Sequence, residues 1–514
     1  MWLREFSEIF DVLPYYLLVC LPIFIALSPI NPVESASELD VHRLAQFELG
    51  GNLHGSKQAA LTMDARGPGV SQVVRKTVVV KMAELSVAGF RDLVSSGVGG
   101  LLLLIPPGLA GLSAEAREAV LQLEEELVGG DLEIPVYFAE ENPELNELYE
   151  TLRSEGEGGE DASSALAAMM SSISNSGYQL IISAPTPQPV KDQAVVSTSG
   201  LLGGSSGEDQ LPTILVVAHY DAGAGAPSLA TGADSNGSGV SILLELARLF
   251  SALYSGSRTH PAYSLVFLLS GGGKLNYAGT KRWLEEHLDH DTTSDLLSNV
   301  KFILCLDSLG KNKPLNLHVS KPPKEGSAGA IFLENLRSVS SALFPNLPKP
   351  EMVHKKINLA DDTLSWEHER FSIRRLPAFT LSHFTSPRNP ERQTLLDSTS
   401  EVSGAVLQRN TRLVAEALAC SLYPRMEKTT CSGELFSGSL EPKEESLMGW
   451  LRLATSFPRH PSLLSDKNSD LVKSLTSALA RYTQDVSTVV GTPDRREPEY
   501  VLYDTATATM NVYR

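Results

Sequence analysis

Residues 211–250 read LPTILVVAHYDAGAGAPSLATGADSNGSGVSILLELARLF. The unbroken apolar run 214–218 predicts a strand covered on both faces, and the helically spaced apolar residues of 240–254 predict a helix packed on it. A polar, Gly-rich loop joins the two. This layout puts His219, Asp221 and Asp234 at the carboxyl end of a parallel strand and ahead of a helix amino end, where open α/β sheets gather their chemistry.

Working outward, the same rhythm continues. Downstream, 262–270, 300–310, 316–320 and 376–384 read as strands, alternating with helices over 281–290, 328–344 and 400–422. Upstream, the apolar runs 77–82, 101–106, 134–139 and 178–184 alternate with helical stretches at 83–95 and 113–128. Alternation of this kind predicts an α/β fold with a mostly parallel sheet, helices on both of its faces, and an amino-terminal α/β lobe. The segments 154–164 and 195–210 are rich in Gly, Ser and acids and read as flexible loops. Past residue 424, helices are expected over 446–455 and 471–486, and the alternating 499–514 reads as strands. The expected division is a signal segment over 1–42, the lobe over 43–200, the main body over 201–423 and a small α+β extension over 424–514.

A chain of 514 residues exceeds a single simple core, and its formal charge of -18 with no Lys/Arg stripe argues against direct nucleic-acid binding. Residues 13–30 carry no charge and precede a soluble-looking chain, the pattern of a secretory signal. Cys420 and Cys431 are spaced so that one disulfide closes a short loop, while Cys305 lies in an apolar strand. Asn236-Gly-Ser is a glycosylation sequon. The run 270–274, SGGGK, is followed by Leu275 where a phosphate-binding loop needs Ser or Thr, which excludes that reading.

The collinear set of a strand ending in His219-Tyr220-Asp221, GADSNGSG before a helix, SGGGKLNYAGT and LCLDSLG after strands, and a final PERQTLLDST resembles the zinc-dependent aminopeptidase family, whose relatives include the glutaminyl cyclases and nicastrin. The resemblance covers roughly 211–422. It implies two zinc ions bridged by a carboxylate and a water, with a glutamate as general base. His219 stands at a metal-ligand position, Asp221 at that of the acid orienting it, and Asp307 at a further ligand. His368-x-x-Phe371 resembles the family's His-x-x-Phe.

Other positions depart. Ser235 stands where the bridging acid belongs, Gly273 and Lys274 where base and ligand belong, and Gln393 where the last histidine belongs. A structural zinc is worth about 10 to 16 kcal/mol over four ligands, so each missing ligand costs on the order of 3 kcal/mol. A lysine about 4 Å from a dication adds roughly 8 kcal/mol of repulsion at an effective dielectric of 20. The expectation is a chain with neither zinc nor other cofactor, in which His219, Asp221 and Asp307 hydrogen-bond one another. A working zinc aminopeptidase is the alternative, and it would need Asp234 to bridge and His383 to replace Gln393.

Within the family, the AHYDAGA and DSNGSG loops resemble a nicastrin-like, non-catalytic branch. That resemblance implies a lumenal scaffold held in the endoplasmic reticulum membrane by one spanning helix, expected just beyond residue 514. The partners it implies are the Nodal modulator protein and a small multi-pass membrane protein, with the ribosome and translocon nearby. The implied roles are maturation of multi-pass membrane proteins and restraint of Nodal signalling.

Overall fold

The computed structural model describes residues 37–513 apart from 71–72, 108, 110, 159–176, 192, 206–210, 290–294, 424–433, 467 and 505–507. Most of the expected signal segment 1–42, Cys431 and most of the 154–164 loop lie outside the described residues; residues 37–42 of the first are strand, and residues 154–158 of the last are helical where a loop was expected.

The amino-terminal lobe comprises β1 (Ser37–Arg43), β2 (Gln46–Leu49), β3 (Asn52–Ser56), β4 (Leu61–Arg66), β5 (Thr77–Lys81), α1 (Val87–Ser95), β6 (Gly100–Ile105), α2 (Ala114–Gly129), β7 (Asp131–Leu132), β8 (Val136–Glu140), α3 (Pro143–Gly158) and β9 (Gln179–Ile182). The main body follows with β10 (Val195–Leu202), β11 (Thr213–His219), α4 (Gly239–Ser255), β12 (Ser264–Ser270), α5 (Ala278–Asp289), β13 (Val300–Leu306), β14 (Asn316–Val319), α6 (Ala328–Leu343), β15 (Glu351–His354), α7 (His368–Ile373), β16 (Ala378–Ser382) and α8 (Gly404–Leu422). The tail adds α9 (Glu444–Thr455), α10 (Asp470–Ala480), β17 (Gln484–Gly491), β18 (Tyr500–Leu502) and β19 (Ala508–Tyr513). Serines fix several helix starts: Ser86, Ser113, Ser327 and Ser403 each accept a first-turn amide, at α1, α2, α6 and α8.

The main sheet has eight strands in the order β15-β14-β16-β13-β11-β12-β10-β17. Its centre is parallel, with Val216 of β11 opposite Phe267 of β12 on one side and Leu304 of β13 on the other. Every residue of β11 is buried, as its unbroken apolar run predicts. At about 1.5 to 3 kcal/mol per fully buried large apolar side chain, this strand and its two neighbours supply much of the body's cohesion. Helix α4 packs on the sheet through Val240, Leu243, Leu244 and Leu246, all in the main core. The stretch Ala233–Ser255 is apolar and long enough to span a membrane, yet 83% of its most apolar window is buried inside the fold. Its acid Glu245 is fully buried, held by Arg248 at 2.7 Å and Trp450 Nε1 at 3.3 Å.

Further expectations need correcting. The segment expected as a loop from residue 195 is strand β10 over Val195–Leu202, antiparallel to both β12 and β17. Its hydroxyls bond to neighbouring elements: Ser199 Oγ meets Ser487 Oγ of β17 at 2.9 Å and accepts from Trp283 Nε1 of α5 at 3.2 Å. The helix expected over 471–486 ends at Ala480, and its last residues enter β17.

The tail is also not an appended unit. β17 forms an edge of the main sheet, β18 joins β2, β3 and β7 in a small sheet, and β19 closes the lobe's barrel, β1-β19-β9-β4-β5-β6-β8. Met510 of β19 is fully buried opposite Leu39 of β1 and Ile182 of β9. Met510→Ala is expected to destabilise the lobe by about 2 to 5 kcal/mol. Hydrogen exchange should show β1, β4 and β9 opening faster while β11 to β13 keep their protection; unchanged exchange in the lobe would show that β19 does not hold the barrel.

Candidate functional site

The parallel strands deliver polar side chains to one end of the sheet. His219 closes β11, Ser270 closes β12, Asp307 follows β13 and Ser382 closes β16, and all four are buried. Gly-rich turns cross over them. Gly232 takes a positive φ of 57°, and a Cβ there would meet that of Ala222 at 2.4 Å, so the loop before α4 packs directly on the loop after β11.

His219, Asp221 and Asp307 do gather here, but they do not bond one another. His219 Nδ1 lies 3.2 Å from Glu367 Oε2, and the other Glu367 oxygen accepts from Ser270 Oγ at 2.6 Å and Thr280 Oγ1 at 2.7 Å. Asp221 accepts the backbone amides of Gly273 and Lys274 at 2.6 and 2.7 Å, which ties the β11 loop to the β12 loop. Asp307 accepts from Ser382 Oγ at 2.9 Å and from Arg392 Nη2 at 3.2 Å. Each acid therefore has partners on a different element, because at this density backbone amides and hydroxyls are nearer than a second carboxylate.

Two cations occupy the middle. Lys274 Nζ donates to Ser235 Oγ at 3.1 Å and to the Arg392 carbonyl at 2.9 Å. Arg392 stacks over Trp366 with its guanidinium carbon 4.5 Å from the ring centroid, and Tyr277 OH lies 3.5 Å from Nη2. Burial, with Arg392 adding to it, brings the Lys274 pKa down to about 8 against the opposing pull of Asp307 and Asp221. Burial pushes Asp307 upward, but Arg392, then His219 and Lys274, overcome it and hold the carboxyl well below the usual range.

A second group flanks this one. His383 Nε2 lies 2.6 Å from Asp234 Oδ2, and Asp234 Oδ1 accepts the Gly310 amide at 2.6 Å. Asp397 accepts the amides of Asp234 and Ser235, and burial, then Asp234, raises its pKa. Arg459, from the tail, is fully buried and donates to the carbonyls of Tyr220, Thr231 and Gly232. Asp234 and His383 thus come together, but among the described residues no three His, Cys, Asp or Glu side chains are grouped so as to hold a metal ion. A Cβ on Gly273 would fall 2.2 Å from the His219 ring, so no side chain fits there on this backbone.

A cavity of about 490 Å³ opens above Lys274 and Arg392, walled on its far side by β2, β3 and α2 of the lobe. Glu124 of α2 reaches across this junction, fully desolvated, accepting from Gly225 N at 2.6 Å, Thr394 Oγ1 at 2.6 Å and Leu395 N at 3.0 Å. Burial raises its pKa to about 7 despite these three donors.

Residues 200–418 match Peptidase family M28. The chain is 42% identical to the BOS complex subunit NCLN of Homo sapiens, an alignment covering 98% of this chain and 89% of that protein. It is 43% identical to the BOS complex subunit ncln of Danio rerio, covering 99% and 92%. Nicalin of Caenorhabditis elegans is 32% identical over 74% of this chain and 68% of that protein. The chain belongs to the nicalin family. The crystal structure of the gamma-secretase component Nicastrin matches with a TM-score of 0.61 at 12% identity, covering 92% of this chain and 99% of that one, which shows a shared fold.

In this nicalin-family chain several expected residues stand elsewhere. Gln393 is exposed at the cavity, and its neighbour Arg392 enters the cluster instead. His368 lies outside the cluster with Nδ1 2.9 Å from Thr380 Oγ1; burial, then His318, brings its pKa down to about 3. The Asn236 sequon is fully buried and its amide donates to the His219 carbonyl, so no glycan fits on it in this fold. Cys420 is disulfide-bonded, Cys305 is free and buried, and Cys431 lies outside the described residues. Sequence reading missed Glu367, Arg392, Arg459 and Glu124. Glu124 carried a signal: it falls on the same helical stripe as Val120, Leu121 and Leu127.

Two substitutions test these assignments. Arg392→Met leaves Asp307 buried without its cation, at a cost of about 3 to 5 kcal/mol. Asp307 has a folded-state pKa below its unfolded value near 3.9, so the pair stabilises at neutral pH and that gain is lost as pH falls through the carboxylate range. Urea denaturation should therefore show the widest gap between parent and R392M near pH 7, narrowing on acidification. Glu124 has the opposite sign. Its raised pKa means the folded state binds the extra proton, so stability grows as pH falls from about 7, by up to about 1.4 kcal/mol per unit. Glu124→Gln is expected to flatten that slope, and a variant with the parent's slope would rule out Glu124 as its source.

Proposed function

We propose that this chain is a non-catalytic, aminopeptidase-like scaffold subunit of a membrane-protein complex of the endoplasmic reticulum, its bulk in the lumen. The observation that carries the reading is the pair of side-chain cations in the middle of the polar cluster. A dinuclear hydrolase needs acids and imidazoles converging on two dications, with a carboxylate over their shared water. Here an ammonium lies against Ser235, a guanidinium lies against Asp307, and position 273 has no room for a glutamate. The residues present do not fit a zinc pair, since a dication would have to enter beside two fixed positive charges.

Support for a subunit role comes from relatives named as BOS complex subunits, aligned over nearly the whole chain. The resemblance to them implies the Nodal modulator protein and a small multi-pass membrane protein as partners, beside the translocon, with roles in maturing multi-pass membrane proteins and restraining Nodal signalling.

The test joins chemistry to partners. Full-length protein purified in detergent, incubated with zinc and desalted, is expected to carry far less than one zinc per chain and to release no product from aminoacyl anilides. Crosslinked pull-down from solubilised microsomes should recover the two membrane partners. Two stoichiometric zincs, with hydrolysis abolished by His219→Ala, would falsify the non-catalytic reading; recovery of neither partner would sink the assignment to this complex.

A further inference from the structure

The cavity over the cluster has two unlike walls. Phe47 and Leu49 of β2, Val128 of α2 and Leu364 give it an apolar side, and Lys274 and Arg392 lie at its cationic side. Its volume of about 490 Å³ falls within the range of sites that enclose a small ligand or the end of a peptide.

Both cations keep a donor to spare. The Lys274 ammonium has three N–H groups, and its two hydrogen-bond acceptors, Ser235 Oγ and the Arg392 carbonyl, are both neutral. Arg392 gives Nη1 to the carbonyls of Ser365 and Pro387 and Nη2 to Asp307 and Tyr277, while its buried Nε meets no acceptor among the described residues. The nearby acids do not absorb these donors, because Asp221 is held by two backbone amides and Glu367 by two hydroxyls and His219. The half-buried Lys274 ammonium lines the cavity with its third N–H facing no acidic partner, so an anionic oxygen there gains a charge-assisted hydrogen bond beside the Arg392 guanidinium.

We propose that this cavity binds the carboxyl terminus of a peptide, with Lys274 and Arg392 as the carboxylate anchors and the apolar wall taking the last side chain. The mouth narrows the choice further. Glu125, Asp361 and Asp362 line the cavity beside one exposed base, Arg388, and the net repulsion of three acids against that base disfavours an acidic segment while favouring neutral or basic residues upstream of the terminus. A small free carboxylate shares the anchoring chemistry but has nothing to place on the apolar wall. The site is independent of the scaffold reading, since the same cavity is present whether or not partners assemble around the chain.

Isothermal titration of the full-length protein in detergent, with EDTA present so that no metal supplies the binding, tests this. The probes are N-acetyl-alanyl-lysyl-leucine with a free carboxyl group, the same peptide as its carboxamide, and acetate. The free acid is expected to bind at least tenfold more tightly than the carboxamide, and acetate more weakly than either form that carries the apolar residue. Lys274→Gln should bring the acid down to the carboxamide's affinity. Val128→Trp, at the apolar wall and away from Lys274 and Arg392, should weaken the acid peptide several-fold while the variant keeps a cooperative unfolding transition, which keeps the test valid if K274Q folds poorly. Equal affinity of acid and carboxamide, parent-like binding by both variants, or acetate binding as tightly as the peptide overturns the proposal.

Discussion

The Arg392 guanidinium at 3.2 Å from Asp307 answers a problem that the fold creates for itself. Parallel strands ending at one side of the sheet, with the loops and helix starts over them, bring Asp221, Asp234, Asp307, Glu367 and Asp397 into a space from which water is largely excluded. Ionised carboxylates so buried persist only if each is compensated. Backbone amides serve Asp221 and Asp397, and hydroxyls with His219 serve Glu367. His383 and an amide serve Asp234. Asp307 has one hydroxyl, from Ser382, and its remaining charge needs a cation. In a metallopeptidase that cation is a metal; here it is part of the chain.

Supplying the charge covalently changes what the site does mechanically. A bound metal joins loops only while it is bound, and its contribution follows its concentration by mass action. Lys274 and Arg392 join the loops permanently. Lys274 connects the loop after β12 to Ser235 ahead of α4 and to the carbonyl of residue 392, and Arg392 connects that last loop to the end of β13. Arg459 adds a third clamp, from the tail onto three carbonyls of the β11 and α4 loops. Loops tied by side chains hold one arrangement whether or not a ligand is present, whereas a catalytic metal centre keeps a coordination position open.

How much of this was legible in the sequence follows from what each feature depends on. The central strands were legible because β11, β12 and β13 are buried on both faces, and burial on both faces writes an unbroken apolar run. Ser235, Gly273, Lys274 and Gln393 could be placed near the carboxyl end of the sheet because they lie a fixed distance from helices and turns that are themselves legible. Arg392 was not, because it adjoins a counted position and nothing in a linear string shows that Gln393 turns outward while its neighbour turns in. Strand β10 was hidden by composition. Its Ser, Thr and Gly residues suggest a loop, but Gly200 packs against Thr483 at a distance that no Cβ would tolerate, and its hydroxyls find their partners on strands and helices that are distant in sequence.

The tail is the furthest from legible, and the reason bears on how the molecule assembles. β19 sits between β1 and β9, so Val41 pairs with Ala508 and Leu39 with Met510. The entropy of closing a flexible loop grows only logarithmically with its length, about 0.6 kcal/mol for each doubling, so so long a closure is thermodynamically inexpensive. Kinetically it is another matter, because non-local strand pairing forms late. The lobe's barrel cannot close until the last strand is available. Since that lobe also forms the far wall of the cavity through β2, β3 and α2, the cavity reaches its final shape only when both ends of the described chain have met. Arg459 and β19 belong to the same tail, so one segment of the chain both completes the lobe's barrel and holds the loops at the carboxyl end of the main sheet.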